Sequence, residues 1–361
     1  MSNLPIITRI IFPSIVRNVP ADLEYSLGFG IAQIGDLIAV ELSEPSFPAD
    51  IELPNGRIRH FYPEELLIGA VGFREAPKSY VGIVPTQGIL IHPNIENSQN
   101  LALLSAAGLI GVLISRSPYI QDPPRVRPRG LLQKGGKNIN LRHFSCPWRD
   151  SVSGIPPLVI FVGTSSESGK TTAAAVVIRH LTLRGMKVAA AKLTGAGRIR
   201  DLLAFRDAGA IAAYDFVDAG LPSTPDEETA LPAAKGILAK IISESEPDVI
   251  IVELAGSLLV KANRAILRDP EIRNSIAGIV LAASDEVGAV GGVHLLSQEW
   301  GLVPIAITGP VSDNQAGVTY VKEAVHIPAI NWRDAEQLIN LIEKSLSSFR
   351  NKKENNTHVL K

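Results

Sequence analysis

Short apolar runs separated by proline, glycine and asparagine occupy the chain from Pro5 to about Pro128, among them Ile34 to Leu42 (IGDLIAVEL), Leu67 to Phe73 and Tyr80 to Val84. Runs of this length between turn formers predict short strands, hence a β-rich N-terminal domain over residues 1–122, with a helix expected over Gln99 to Ala107. After Pro156 and Pro157 the pattern changes. Leu158 to Val162 is apolar throughout, a glycine- and serine-rich loop follows, and Lys170 to Arg184 has helical length. Val188 to Lys192, Asp248 to Leu254, Ile276 to Ala283 and Val303 to Thr308 each read as a buried strand, with helix-length segments between them. Strands apolar on both faces belong to a parallel sheet covered on two sides. The expected fold class is therefore α/β: a mostly parallel sheet domain over residues 156–349, preceded by the smaller β-rich domain.

Two segments break this pattern. Between Pro123 and Arg149 the chain carries Arg125, Arg127, Arg129, Lys134, Lys137, Arg142 and Arg149 and no acidic residue. A basic linker over residues 123–155 is expected, either solvated or touching something anionic. Residues 350–361 (RNKKENNTHVLK) are polar and without period, which predicts a frayed, disordered tail.

Composition narrows the function classes. The 361 residues include 35 Lys and Arg against 36 Asp and Glu, a net charge of −1, which argues against a general nucleic-acid binder. Phe144 and Trp148 are too few aromatics for a base-stacking platform. The longest apolar stretch, Leu101 to Ile114, is too short to cross a bilayer, and the N-terminal residues, broken by Pro5 and Pro13, lack the pattern of a secretory signal. A single cysteine, Cys146, excludes an intramolecular disulfide. A cytoplasmic protein with no membrane and no nucleic-acid partner is expected. The seven histidines form no H-x-x-x-H or H-x-H pair, so a metalloprotease site is unsupported.

The segment Gly163-Thr164-Ser165-Ser166-Glu167-Ser168-Gly169-Lys170-Thr171-Thr172 lies between an expected buried strand and an expected helix. Small residues at such a turn let backbone N–H groups and the helix N-terminus converge on phosphate oxygens. Lys170 would reach the β- and γ-phosphates, and the Thr171 hydroxyl would bind Mg²⁺. The spacing exceeds G-x-x-x-x-G-K-[ST] by one residue. A glycine turn with a chance Gly-Lys-Thr is the plainer alternative, and the flanking strand and helix argue against it. Glu253 ends the run Val249 to Val252, which puts its carboxylate at the carboxyl end of the sheet, where open α/β sheets bind ligands. It reads as a metal ligand or as a strand-end carboxylate facing water. Lys192 ends another strand before Leu193-Thr194-Gly195-Ala196-Gly197 and reads as a cation near the γ-phosphate or as a solvent-exposed lysine. Asp201 and Asp207 are open between completing a metal shell and capping a helix. Asp218 and the turn Gly220 to Thr224 are weaker candidates for the substrate side.

Together, GTSSESGKTT, VAAAKLTGAG, DVIIVELAG and Ser284-Asp285-Glu286-Val287-Gly288-Ala289-Val290-Gly291 resemble dethiobiotin synthetase over residues 158 to 310, within the P-loop NTPase superfamily. The chain also resembles a set of uncharacterised bacterial P-loop proteins with an N-terminal β domain and the phrase DAGLPST. The resemblance implies that Lys170 contacts phosphate, that Thr171, Asp201 and Glu253 hold Mg²⁺, that Lys192 contacts the substrate or the transferring phosphoryl group, and that Glu167 matches the loop glutamate. The chain departs from dethiobiotin synthetase at Ser165 (an aspartate there), at Leu254 (a glycine there) and at Thr308-Gly309-Pro310, which lacks the expected asparagine. Because the N-terminal domain is also foreign to that enzyme, dethiobiotin synthesis itself is not the expectation.

The expected function is an ATP- and Mg²⁺-dependent enzyme of ligase or kinase type that activates a carboxylate or carbamate of a small, anionic molecule by phosphoryl transfer, with Lys170 and Lys192 as catalytic cations. One alternative is a nucleotide-dependent switch of the molybdopterin-guanine dinucleotide accessory or partition ATPase type. Another is acyl transfer using coenzyme A. Analogy with related folds suggests a homodimer.

Overall fold

The computed structural model describes residues 9–43, 48–92, 100–224 and 226–359, and the chain divides into two compact units. The first comprises residues 1–146 together with 196–200 and 216–225. Its main sheet is ten-stranded, and at its centre Leu37–Leu42 lies between Leu66–Val71 and Val126–Lys134. Most pairings are antiparallel: Ile38 faces Gly69 on one side and Leu131 on the other. Ile38, Val40, Leu67, Val71, Ile110 and Leu131 belong to a core that also takes in Phe61 from the hairpin Ala49–Glu52 and Ile58–Phe61. Glu52 is fully buried within this unit, where its carboxylate accepts from Ser14 Oγ (2.7 Å) and from the Ile199 backbone N–H (2.8 Å).

Three expectations are corrected. Gln99 lies outside the described residues, and Leu101–Ser105 is a strand antiparallel to Leu109–Arg116, not part of a helix. All of its residues are buried, and a short run buried on both faces carries no period to separate strand from helix. The basic segment 123–155 is not a linker as a whole. Val126–Lys134 is a strand of the main sheet, with Val126 and Leu131 fully buried and Arg127 and Arg129 exposed, the latter 2.6 Å from Glu41. Its charges sit on outward positions, so counting charge hid a half-buried strand. The expected tail is also helical up to Val359, because nothing in Arg350 to Val359 breaks a helix; residues 360 and 361 lie outside the described residues.

The second unit comprises residues 147–195, 201–215 and 226–361. Its strands are β1 (Leu158–Gly163), β2 (Val188–Lys192), β3 (Ala212–Asp215), β4 (Val249–Glu253), β5 (Ile276–Ala282) and β6 (Ala306–Thr308). They form one sheet in the order β3-β2-β4-β1-β5-β6, parallel throughout. Every residue of β1, β2 and β4 is buried, which explains why these strands read as continuous apolar runs. The sequence pattern missed β3, a short edge strand (AAYD) with two alanines and little apolar signal. The helices are α1 (Lys170–Leu183), α2 (Arg200–Asp207), α3 (Glu227–Ser245), α4 (Lys261–Arg268), α5 (Pro270–Arg273), α6 (Glu286–His294), α7 (Gln315–Val325) and α8 (Ala335–Val359). Helix α1 packs on β1, β2 and β4, and α8 packs on α1 and β5. Among the described residues, no helix is long and apolar enough to cross a membrane.

Candidate functional site

The buried strand β1 ends at Gly163, and the chain turns through Thr164 to Gly169 into α1, whose first residue is Lys170. Two residues of the turn have left-handed backbones, Glu167 at φ 63° and Gly169 at φ 91°. For a glutamate that conformation is uncommon, and it is retained here by a turn that wraps a lysine. The Lys170 ammonium donates to the carbonyl of Ser165 (2.8 Å), to that of Gly256 beyond β4 (3.0 Å) and to Ser168 Oγ (3.3 Å). A Cβ at Gly163 would lie 2.6 Å from Lys170 Nζ, so any side chain there would displace the ammonium. The ammonium is thus enclosed by the loop it serves. Burial pushes it down to about 8, against the opposing pull of Glu253. Thr171 is half-buried in the first turn of α1 and Thr172 is exposed. At this helix start the first N–H groups lack intrahelical acceptors, which makes it an anion-binding end.

Charged residues fill one register row across the sheet beside this loop. Lys192 pairs in register with Asp215 of β3 and with Glu253 of β4, and Glu253 pairs with Phe161 of β1. All three charged side chains are buried. The Lys192 ammonium bonds the Asp201 carboxylate and lies 3.5 Å from Glu253 Oε1. Burial alone would lower its pKa, but Glu253, Asp201 and Asp215 outweigh burial and hold it above the usual lysine value. The exposed reading of Lys192 is therefore corrected: it is an enclosed counter-ion, because its strand ends between two acid-bearing neighbours. The second oxygen of Glu253, Oε2, is buried with no hydrogen-bond partner.

The structure brings in contacts that sequence reasoning missed, and one residue, Asn263, that it did not name. Thr194 and Asn263 are buried and clamp the loop after β4. Thr194 Oγ1 donates to Asn263 Oδ1 (2.7 Å) and accepts from Ala255 N–H (2.8 Å), while Asn263 Nδ2 donates to the carbonyls of Ala255 and Ser257 (both 2.8 Å). This loop supplies the Gly256 carbonyl that receives Lys170. An asparagine at an inward helical position was the available signal. Replacing Asn263 by alanine should cost about 1–3 kcal/mol, from the buried groups it leaves unpaired; urea denaturation checks this. Ser284, after β5, meets the loop at Ser165 (Oγ to Oγ, 3.0 Å). Gly309, after β6, has φ 95°, and a Cβ there would lie 2.3 Å from the Ser168 carbonyl, so only glycine lets this strand end close on the loop.

Of the sequence-derived site residues, Gly163, Thr164, Ser166, Glu167, Ser168, Gly169, Lys170, Thr171 and Thr172 form one turn and helix start. Asp201 and Glu253 meet at Lys192. Among the described residues, no group of three or more His, Cys, Asp or Glu side chains could hold a metal ion. Asp207 ends α2, and Asp218 belongs to the first unit, bound to Arg17 (3.1 Å) and Asn18 (3.0 Å).

A parallel sheet with a Gly-Lys-Thr turn leading from an inner strand into a helix, and an acid at the end of the adjoining strand, defines a P-loop NTPase-like α/β fold, here carrying an additional β-rich region. No protein-family model and no curated protein sequence matches the chain. Among solved structures, it is similar to the signal recognition particle 54 kDa protein from Aeropyrum pernix in complex with GDP (18% identity, 56% of this chain, 51% of that chain, TM-score 0.36). Hydrogenase maturation factor HypB from Archaeoglobus fulgidus is also similar (16% identity, 53% of this chain, 90% of that one, TM-score 0.36). So is HypB from Helicobacter pylori in complex with nickel (14% identity, 56% and 89%, TM-score 0.36). The chain spans about half the length of the signal recognition particle protein it matches.

Proposed function

We propose that the loop at residues 163–172 binds a nucleoside triphosphate, ATP in the first instance, with Mg²⁺, and that the chain transfers the γ-phosphoryl group to a carboxylate or carbamate of a small anionic molecule. In that reaction the substrate oxygen forms the new P–O bond, the bond to the β-phosphate oxygen breaks and ADP leaves. The product is an acyl phosphate, at whose acyl carbon an amine can form a C–N bond as phosphate leaves. The observation that carries this reading is Lys170, an ammonium buried at a helix start and held only by neutral oxygens, which phosphate oxygens can replace. Phosphoryl transfer asks the protein mainly for positioned positive charge, and Lys170 and the α1 N-terminus provide it.

The residues present also fit a divalent ion. Glu253 Oε2 is a buried carboxylate oxygen without a partner, and Thr171 stands in the first turn of α1. These two would hold Mg²⁺, which would neutralise phosphate charge. Asp201 would act through Lys192, to which it is bound. With no three-acid cluster among the described residues, most of the ion's ligands would come from phosphate and water.

A second reading has one observation in its favour. Both acids nearest the loop already contact Lys192, an arrangement that also suits a phosphorylated ligand needing no metal, such as coenzyme A, with acyl transfer as the chemistry. Calorimetric titration with ATP, GTP and coenzyme A, each with Mg²⁺ and with EDTA, separates the two. Tight binding of a triphosphate that needs Mg²⁺, followed by phosphate release stimulated by a carboxylate metabolite, supports phosphoryl transfer. Metal-independent binding of coenzyme A alone would replace that reading with acyl transfer. A change of oligomeric state with non-hydrolysable analogues, without stimulated turnover, would mark a switch.

The lowered pKa of Lys170 sets a pH dependence. Phosphate binding favours the charged ammonium, so the free protein must take up a proton at Lys170 once the pH exceeds about 8. Triphosphate affinity should be nearly flat below that value and fall above it, by up to about tenfold per pH unit. The Lys170→Ala variant should lack this fall, and titration from pH 6.5 to 9.5 tests it.

A further inference from the structure

The β-rich unit contains a groove of about 480 Å³ between the strand Ile10–Ile11 and the hairpin Ala49–Glu52 and Ile58–Phe61. Its walls combine exposed apolar side chains with basic ones. Ile10, Ile58 and Tyr62 are each 45% exposed and Phe12 is 38% exposed, and all four line the groove. Arg9, Arg57, Arg59 and His60 line it as well. Two of these side chains are already matched. Arg59 donates to both oxygens of Glu65 (2.5 and 2.7 Å), which also receives the Tyr62 N–H (3.0 Å), and His60 lies 3.0 Å from Asp50. Among the described residues, the Arg9 and Arg57 guanidinium groups meet no carboxylate or other acceptor.

The backbone fixes where those two groups start. The Arg9 carbonyl accepts from Leu66 N–H (2.9 Å), and Arg57 closes the hairpin turn, its carbonyl accepting from Leu53 N–H (2.9 Å) and its N–H donating to Asn55 Oδ1 (3.0 Å). A groove of this volume suits a small molecule. Guanidinium forks select carboxylate or phosphate oxygens, and the exposed Ile10, Phe12, Ile58 and Tyr62 side chains offer contact to an apolar body. We infer that this groove binds a small organic anion, a carboxylate or phosphate ester carrying an apolar body about the size of an aromatic ring. The site belongs wholly to the β-rich unit and does not depend on the reading of the phosphate loop.

The test is calorimetric titration of the full chain with phenyl phosphate and benzoate, with inorganic phosphate and benzyl alcohol as the half-ligands. Phenyl phosphate or benzoate should bind at least about tenfold more tightly than either half-ligand, and the double variant Arg9→Ala/Arg57→Ala should lose about tenfold or more of that affinity. The single variant Ile58→Asp, on an exposed position, should weaken binding similarly by placing a carboxylate in the groove. Lys170→Ala distinguishes the phosphate loop: binding lost there and kept in the arginine variants would overturn the proposal. Inorganic phosphate binding as tightly as phenyl phosphate would reduce the site to adventitious ion contact and also overturn it. So would binding that emerges only after residues 1–8 are deleted, since the groove would then be covered by its own chain.

Discussion

Replacing Lys170 by alanine is expected to lower nucleotide turnover by about 10²–10³-fold, the loss typical when one charge-stabilising donor is removed from a developing anion. The structure explains why no neighbour can substitute. Lys192, the other buried lysine of this region, is bound to Asp201 and faces Glu253, and Lys170 alone is enclosed by neutral acceptors from Ser165, Ser168 and Gly256. Steady-state phosphate release and nucleotide titration of the variant check this. Turnover equal to wild type would show that the loop at residues 163–172 is not the phosphate site. The variant should fold, because alanine favours a helix start more than it disturbs one and removes a buried charge from the protein.

The second large effect is on stability. Lys192→Met keeps the apolar stem and removes the ammonium, leaving the Asp201 and Glu253 carboxylates in a site where their side chains are only 12% and 3% exposed. Removing one partner of a buried ion pair typically costs about 3–5 kcal/mol, because the remaining charge is stranded. Urea denaturation measures the loss, and adding Glu253→Gln to the lysine variant should recover part of it by removing one stranded charge. A loss near zero would mean that the charged row does not hold the ends of β2 and β4 together. The pH dependence follows from the raised pKa of Lys192. Its stabilising contribution is present throughout the range below the ordinary lysine value of 10.5, and is lost only as the pH climbs from there through the higher folded-state value. The difference between wild type and variant should therefore be flat across neutral pH.

Apolar runs placed β1, β2, β4 and β5 within a residue or so of where they lie, since strands covered on both faces have no polar position to confuse the reading. The strand Val126–Lys134 was illegible for the opposite reason. One of its faces carries arginines, and the segment read as charge before it read as alternation. Leu101–Ser105, buried on every side, offered no period at all. In the candidate site the loop from Gly163 to Thr172 was visible because its small residues, lysine and threonine are contiguous. Asn263 was not visible, and the contacts of Thr194, Ser284 and Gly309 were not, although those residues stood in the quoted motifs, because each comes from a different strand end or helix and none is near the loop in the sequence.

The sequence by itself determined a parallel α/β sheet with a glycine-rich turn into a helix, since local composition and the order of apolar segments suffice for both. Only the tertiary structure decided what the charges do. Strand order sets β2 beside β4, and register then brings Lys192 level with Glu253, so that a lysine that could have faced water becomes the buried counter-ion of two acids. Lys170, at the start of the helix after β1, donates instead to backbone carbonyls from two loops that meet only when the sheet is assembled, and burial there depresses its pKa against the pull of Glu253.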